Sequence, residues 1–275
     1  MTNKHRTEQR PHSSISASAF SSTLPDTLFI VRHGESAGNV ARDAAMAARQ
    51  AVIAISTRDV DVPLSARGVS QATALGHWFA RLPDEEKPTV VITSPYVRAL
   101  QTTDILRRLG NFPYASPEAA LVVDERFREK EFGALDGLTK YGIAERMPDQ
   151  AEFRRLLGKF YHRPPGGESW CDVILRLRSA FEMLCREYAG QRVLVVCHSV
   201  VVLCMRYIIE QLTEEEILAI DLANELANCS VTRFDVDPAQ GTVGKLVLKL
   251  FNFVAPLEDE GAPVTTKPDV VAAAK

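Results

Sequence analysis

The chain has 275 residues, of which 46% are hydrophobic and 24% are charged, and its formal net charge at pH 7 is −3. These values are typical of a globular protein with a substantial core, and they exclude the global positive charge that recruits nucleic acid or an acidic membrane surface. Because no apolar run approaches the roughly 18 residues of a membrane-spanning helix, we predict a cytoplasmic protein without nucleic-acid or membrane partners.

Both ends of the chain lack hydrophobic periodicity, so we predict disordered tails at 1–25 and 257–275 around a single domain at 26–256. Within the domain, an Ala-rich helical stretch at 40–62 and a longer arm at 137–168 have the character of insertions that shape a pocket. The five cysteines form no C-x-x-C pair, and we assign them neither a metal nor a disulfide.

Short apolar runs rich in β-branched residues predict strands that are buried on both faces, as in a parallel sheet. These runs are TLFIVRHG, PTVVITSP and RVLVVCHS. Near the C-terminus, NCSVTRFDV and KLVLKLFNF flank the turn-rich DPAQGTVG and predict a β-hairpin that extends the sheet.

Helical patterns occupy 65–82, 96–109 and 170–188, and the last opens at Ser169 with Asp172 three residues on, like a capping box. Alternation of strands and helices predicts an α/β fold with right-handed crossovers. We therefore expect a three-layer α/β/α sandwich around a mostly parallel, mixed central sheet.

Reactive or phosphate-binding side chains follow each of the three predicted strands. Arg32 and His33 follow the first, Ser94 and then Arg98 follow the second, and His198 follows the third. Ligands of an open α/β sheet bind outside the carboxyl ends of its strands. Guanidinium groups bind phosphoryl oxygens in a bidentate way, and strand-to-helix turns offer backbone N–H donors. The sequence therefore predicts a phosphate site built from two arginines and two histidines.

The motifs RHGES, SPYVRALQT, EKEFGALDGL, GGES and VVCHS resemble, in order and context, those of the histidine phosphatase superfamily, also called the phosphoglycerate mutase-like family. The resemblance spans about 28–200. It implies a phosphoglycerate mutase-like fold, a pocket at the carboxyl edge of the sheet, and phosphoryl transfer that needs no metal and no organic cofactor.

The resemblance also implies catalytic roles. His33 is then the nucleophile that forms a phosphohistidine, while Arg32, Arg98 and His198 surround the transferring oxygens. Glu129, four residues before the glycine of the E-x-x-[FYL]-G pattern, is then the proton donor.

Further expectations concern the acid and substrate binding. Glu125 stays open as an alternative acid, since DER around it also resembles mutase sequence. Asn39 corresponds to a family phosphate contact, and Gly34 allows close backbone approach. Ser199 stands where the family commonly has glycine, and it still supplies a backbone N–H. Arg163, with its neighbours in the 137–168 arm, either clamps a second charged group or belongs to a solvated helix face.

Three functions fit this pattern. The leading one is a phosphatase that hydrolyses the phosphate monoester of a small phosphorylated metabolite. A cofactor-dependent phosphoglycerate mutase is the nearest alternative, because GALDGL resembles mutase sequence, although the 40–62 stretch replaces the Gly-Trp pair that mutases carry there. A catalytically silent module that binds a phosphorylated ligand is the third, and it would not need both a nucleophile and an acid. The sequence does not determine the oligomeric state, and a homodimer is possible.

Overall fold

The computed structural model describes residues 23–116 and 118–266. The predicted N-terminal tail lies outside the described residues apart from positions 23–25. The strands are β1 Thr27–Arg32, β2 Val90–Thr93, β3 Val122–Val123, β4 Arg192–Cys197, β5 Val231–Asp237 and β6 Lys245–Phe253. Within the described part of the chain they form one six-stranded sheet in the order β3-β2-β4-β1-β5-β6. The first four strands pair in parallel, and β5 and β6 add antiparallel pairs at one side.

Helices cover both faces of this sheet. They are α1 Ala37–Ala47, α2 Ala66–Arg81, α3 Val97–Leu109, α4 Lys140–Arg146, α5 Pro148–Tyr161, α6 Trp170–Glu187, α7 Ser199–Glu210, α8 Glu214–Ala223 and α9 Ala255–Asp259. Side chains of a strand alternate between faces. Leu28 and Ile30 of β1 accordingly share a core with α6 and α7, while Phe29 and Val31 share the opposite core with α2 and α3. The predicted α/β/α sandwich with a mixed sheet is confirmed.

Most predicted elements are present. The three apolar runs form β1, β2 and β4, and the predicted hairpin is the antiparallel pair β5 and β6. The three helical patterns form α2, α3 and α6, and α6 starts with the expected capping box between Ser169 and Asp172. No helix in the described ranges has the length and apolarity needed to cross a bilayer.

The packed core includes residues beyond position 256, where the predicted domain ends. Leu257 of α9 is fully buried, and Ala262 is nearly so, in the core shared with α2 and α3. The predicted disordered tail at 257–275 is therefore wrong for residues 257–266, because these two apolar side chains close that face of the core. The remainder of that predicted tail, 267–275, lies outside the described residues.

The two predicted insertions lie against each other. Only the first part of 40–62 is α-helical, because α1 ends at Ala47 and the segment that follows is irregular up to a short 3-10 helix at Asp59–Asp61. That segment pairs with the start of the 137–168 arm, where Ile53 N–H donates to the Gly137 carbonyl over 2.9 Å. A bridge between Val52 and Leu138 adds to this pairing. The contact brings both insertions to the carboxyl edge of the sheet, beside the end of β1.

Candidate active site

Strand register brings the two histidines together. Arg32, the last residue of β1, lies opposite Cys197, the last residue of β4, and His33 N–H donates to the Cys197 carbonyl over 2.9 Å. His33 and His198 therefore leave neighbouring strands side by side. Their rings lie 5.0 Å apart between centroids, at 64°, and both side chains are fully buried. A buried histidine pair at the carboxyl edge is the centre of the candidate site.

The protonation of His33 follows from its two partners. Nδ1 lies 2.7 Å from the carbonyl oxygen of Gly34, and Nε2 lies 3.2 Å from Nε of Arg98. A carbonyl can only accept, and a guanidinium can only donate. Nδ1 therefore carries the hydrogen, and the lone pair of Nε2 faces Arg98, the arginine that the sequence placed at a phosphate site.

Position 34 requires glycine because the backbone of α2 lies close to it, rather than because a ligand does. A Cβ at this position would lie 2.5 Å from the carbonyl oxygen of Gly68 in α2. The Gly34 N–H donates to the hydroxyl of Thr102 in α3 over 3.1 Å. The loop that carries His33 is thus held tightly between α2 and α3.

Arg98 is buried at the first turn of α3 and is oriented by a residue that the sequence analysis did not identify. Its two terminal nitrogens donate to Asp59, one to the backbone carbonyl over 2.6 Å and one to the carboxylate over 3.0 Å. Its guanidinium also lies 4.8 Å from the centroid of the Tyr96 ring. Asp59 belongs to the 40–62 insertion, and nothing in the local sequence distinguishes it from the other acidic residues of the chain.

Arg32 is fully buried, and its guanidinium donates to the backbone carbonyl of Leu226. This hydrogen bond fixes the Arg32 guanidinium against the segment that precedes β5. Of the two predicted arginines, Arg98 contacts the ring of the predicted nucleophile, and Arg32 directly precedes that residue at the end of β1.

His198 connects the pair to a carboxyl group. Its Nε2 lies 2.7 Å from the hydroxyl of Ser94, and its Nδ1 lies 3.9 Å from Oε2 of Glu129. Glu129 is fully buried, and its Oε1 accepts a 2.7 Å hydrogen bond from the backbone N–H of Lys130. Glu125 is exposed and lines a separate cavity beside the end of α6. Of the two candidate acids, the structure brings Glu129 to the histidines.

Two neighbours of Glu129 have shifted pKa values. Burial and, to a smaller extent, the charge of Arg154 lower the pKa of Lys130 to about 8, against the opposing effect of Glu129. Burial also raises the pKa of Tyr96, and the negative charges of Glu131, Asp59 and Glu129 act in the same direction. Tyr96 is consequently a neutral hydroxyl group, and it donates to Glu131 over 3.2 Å.

The remaining predicted site residues have different surroundings. Asn39 is buried at the third position of α1, where its side-chain oxygen accepts from the backbone N–H of Ser36 over 2.9 Å. Ser199 is the first residue of α7, directly after His198, and is half-buried. Arg163 is not brought to the histidines in the described structure. It is 62% exposed and pairs with Asp172 at the start of α6.

A cavity of about 140 Å³ lies between the two insertions and shares Asp59 with the histidine site. Its lining includes Arg42, Ile53, Ile55, Asp59, Val62 and Asp136. Apolar side chains, two carboxylates and one guanidinium therefore surround the space next to Arg98. Among the described residues, no group of three or more His, Cys, Asp and Glu side chains is arranged to hold a metal ion.

The fold and the site define a class: an α/β sandwich in which two histidines, two arginines and a carboxyl group meet at the carboxyl edge of the sheet. A model of the histidine phosphatase superfamily (branch 1) matches residues 28–248. The chain therefore belongs to the histidine phosphatase superfamily.

Relatives and solved structures in this family carry different names. The chain is 28% identical over 233 residues to a 2,3-bisphosphoglycerate-dependent phosphoglycerate mutase 2 of Gloeobacter violaceus, covering 83% of this chain and 94% of the relative. It resembles the structure of Bacillus stearothermophilus YhfR with a TM-score of 0.64 and 26% identity, over 84% of this chain and 98% of that one. A mycobacterial glucosyl-3-phosphoglycerate phosphatase, solved with inorganic phosphate, shares the fold with a TM-score of 0.59 and 22% identity, over 84% and 99% of the two chains.

Proposed function

We propose that this protein is a phosphatase that hydrolyses a phosphate monoester of a small metabolite in the cytoplasm, through a phosphohistidine on His33 with Glu129 as proton donor. One observation carries the proposal: the Nε2 lone pair of a fully buried histidine faces Arg98, and a second buried histidine stands beside it. Arginine fixes a phosphate dianion, and a neutral imidazole is a competent nucleophile.

The reaction takes two steps on these groups. In the first, the Nε2 lone pair of His33 forms a bond to phosphorus, the bond from phosphorus to the ester oxygen breaks, and protonated Glu129 gives its proton to the leaving alcohol. In the second, Glu129 removes a proton from water, the water oxygen attacks phosphorus, and the P–N bond breaks. Phosphate leaves, and both residues return to their starting states.

Fixed positive charge would stabilise both transition states. Arg32 and Arg98 supply two guanidinium groups, and His198 supplies a ring N–H when it is protonated at the nitrogen facing the phosphate. Groups that are oriented before the reaction need no reorganisation during it, and removing one typically costs about 100- to 1,000-fold in rate. The hydrogen bonds that the two arginines donate to Leu226 and Asp59 support this role, since they orient both guanidinium groups in advance.

A phosphoglycerate mutase is the second candidate, and the named relative from Gloeobacter favours it because the alignment covers 94% of that protein. A mutase must hold a substrate with a second anionic group. The cavity beside Arg98 carries the carboxylate of Asp59, which pairs with Arg98, and that of Asp136 against one further guanidinium, Arg42. These charges leave no surplus positive charge for a second anionic group of the substrate, whereas an uncharged leaving group would fit. They therefore support hydrolysis over isomerisation.

Product analysis separates these functions. The protein is incubated with 3-phosphoglycerate, with and without 2,3-bisphosphoglycerate, and with a panel of sugar and alkyl phosphates. Free phosphate without 2-phosphoglycerate supports the phosphatase, whereas 2-phosphoglycerate formation supports the mutase and overturns the proposal. Ligand binding with no product would indicate a silent binding module. The His33→Gln variant should lose turnover, and His77→Gln, which changes a half-exposed histidine of α2 that pairs with Glu260, should keep it.

A further inference from the structure

The C-terminal segment, residues 260–266, returns to the loop that carries His33. Two fully buried amide side chains lie between them, Gln71 of α2 and Asn228 just before β5. Gln71 accepts a hydrogen bond from the backbone N–H of Glu35 over 2.8 Å. Asn228 donates from its side chain to the backbone carbonyl of His33 over 3.1 Å. Each amide therefore holds one backbone group of the nucleophile loop.

The hydroxyl of Thr265 joins the two amides. It accepts from Nε2 of Gln71 over 2.8 Å and donates to Oδ1 of Asn228 over 2.9 Å. The backbone of the same segment adds two bonds, from Asn228 N–H to the Thr265 carbonyl and from Gln71 to the Pro263 carbonyl, both 2.8 Å. The segment is thus attached to both amides by its backbone and by one side chain.

The donor and the acceptor of each hydrogen bond that links Thr265 to the two amides follow from the bonds that the amides make to backbone. The oxygen of Gln71 accepts from a backbone N–H, so its nitrogen is the group that faces Thr265. The nitrogen of Asn228 donates to a carbonyl, so its oxygen faces Thr265. Only a group that can accept and donate at once satisfies both neighbours, and a hydroxyl does so. A methyl group at this position would leave two buried amide atoms with one partner fewer.

We propose that Thr265 is a positioning residue for the nucleophile, acting through Gln71 and Asn228 on the backbone of residues 33–35. The C-terminal segment is then part of the active-site framework. The inference rests on the proposed role of His33. Displacing a reacting group by about 1 Å can reduce rate about 100-fold, so loosening both anchors should slow phosphorylation of His33 more than it weakens phosphate binding.

The test compares three variants of the full chain. Thr265→Val removes the hydroxyl and nearly keeps the shape, Thr265→Ser keeps the hydroxyl, and Thr266→Val is the matched control, because the neighbouring hydroxyl bonds only weakly to Glu225 over 3.3 Å. Two quantities are measured well below the unfolding temperature: the single-turnover rate of His33 phosphorylation by p-nitrophenyl phosphate, and the inhibition constant of inorganic phosphate. The imidazole nitrogen shifts of His33 are recorded by NMR as a readout independent of activity.

We expect Thr265→Val to slow phosphorylation about 10- to 100-fold and to shift the His33 resonances, with the phosphate inhibition constant changed by less than about threefold. Thr265→Ser and Thr266→Val should match the wild type in all three measurements. Unchanged His33 resonances and an unchanged rate in Thr265→Val would overturn the inference, as would an equal loss in Thr265→Ser. If the wild type formed no phosphoenzyme, the proposed function would fail, while the resonances would still decide whether Thr265 positions His33.

Discussion

Nε of Arg98 lies 3.2 Å from Nε2 of His33, and this contact determines which ring nitrogen is available for chemistry. The Gly34 carbonyl, 2.7 Å from Nδ1, occupies the other side of the ring. Since neither partner can exchange its role as donor or acceptor, the imidazole is held in one tautomer. A phosphate that displaced the Arg98 contact and took the guanidinium as its own partner would lie directly in front of Nε2.

Glu129→Gln should lower kcat/KM for an alkyl phosphate about 100- to 10,000-fold, because a proton donor contributes roughly that much and an alkoxide leaves poorly without a proton. The loss for p-nitrophenyl phosphate should be much smaller, since its phenolate departs unprotonated. Glu125→Gln is the control, because Glu125 is exposed and lies at another cavity. Equal losses on the two esters would contradict a role for Glu129 as the acid.

Asp59→Asn should strengthen binding of inorganic phosphate. The Asp59 carboxylate lies 3.0 Å from Arg98 and competes with a phosphate dianion for the same guanidinium, while its backbone carbonyl would still orient the group. The expected gain is about 1 kcal/mol, or about a fivefold lower inhibition constant, because the carboxylate is partly exposed. Asp61→Asn is the control and should leave the inhibition constant of phosphate unchanged, because Asp61 lies in the same turn but pairs with exposed Arg58. A higher constant in Asp59→Asn would refute this competition.

Glu168 should make the stability of the fold depend on pH. Its carboxylate accepts from Arg128 over 2.7 Å, from Arg176 over 2.9 Å and from the backbone N–H of Glu131 over 3.0 Å. Burial opposes ionisation of Glu168, but the bond and charge of Arg176, with the Glu131 and Arg128 contacts, outweigh it and lower the pKa below its ordinary value of 4.5. The stabilisation is then complete above that value and is lost as the pH falls through the folded-state pKa.

Glu168→Gln should accordingly lower the free energy of unfolding by about 1 kcal/mol at pH 7, since the carboxylate is only partly buried, and the difference from wild type should shrink as the pH falls below 4.5. Urea unfolding at several pH values measures this. Glu152→Gln, which breaks an exposed pair with Arg155, is the control and should have little effect at any pH. A difference in unfolding free energy between Glu168→Gln and wild type that does not change with pH would show that the stabilisation does not depend on the charge of Glu168.

Much of the fold could be predicted because the central strands are buried on both faces and follow a plain apolar pattern. α7 was missed because SVVVLCMRYIIE is largely apolar and rich in β-branched residues, a composition that buried strands share with buried helices. β3 has only two residues, too few for a pattern. α8 was missed although Thr213 and Glu216 form a capping box that the sequence displays.

The site was predictable where strand ends placed its residues. His33, Arg98, His198 and Glu129 come together as expected from their positions after strands and from the family motifs. Asp59 and Thr265 could not be found this way, because their partners lie 39 and 37 residues distant in the chain and the contacts exist only after the insertion and the C-terminal segment have packed. For Arg163 the sequence left two alternatives open, and its exposure and its ion pair with Asp172 at the start of α6 favour the solvated position over a clamp on a second charged group.

The most direct test of the account is to identify the atom that carries the phosphoryl group. The enzyme is mixed with excess p-nitrophenyl phosphate, quenched in alkali to preserve phosphohistidine, and examined by 31P NMR and by mass spectrometry of its peptides. We predict one phosphoryl group per chain, bound to Nε2 of His33 and absent from His33→Gln. A phosphoryl group on Nδ1 or on another residue, or turnover that persists in His33→Gln, would contradict the central claim.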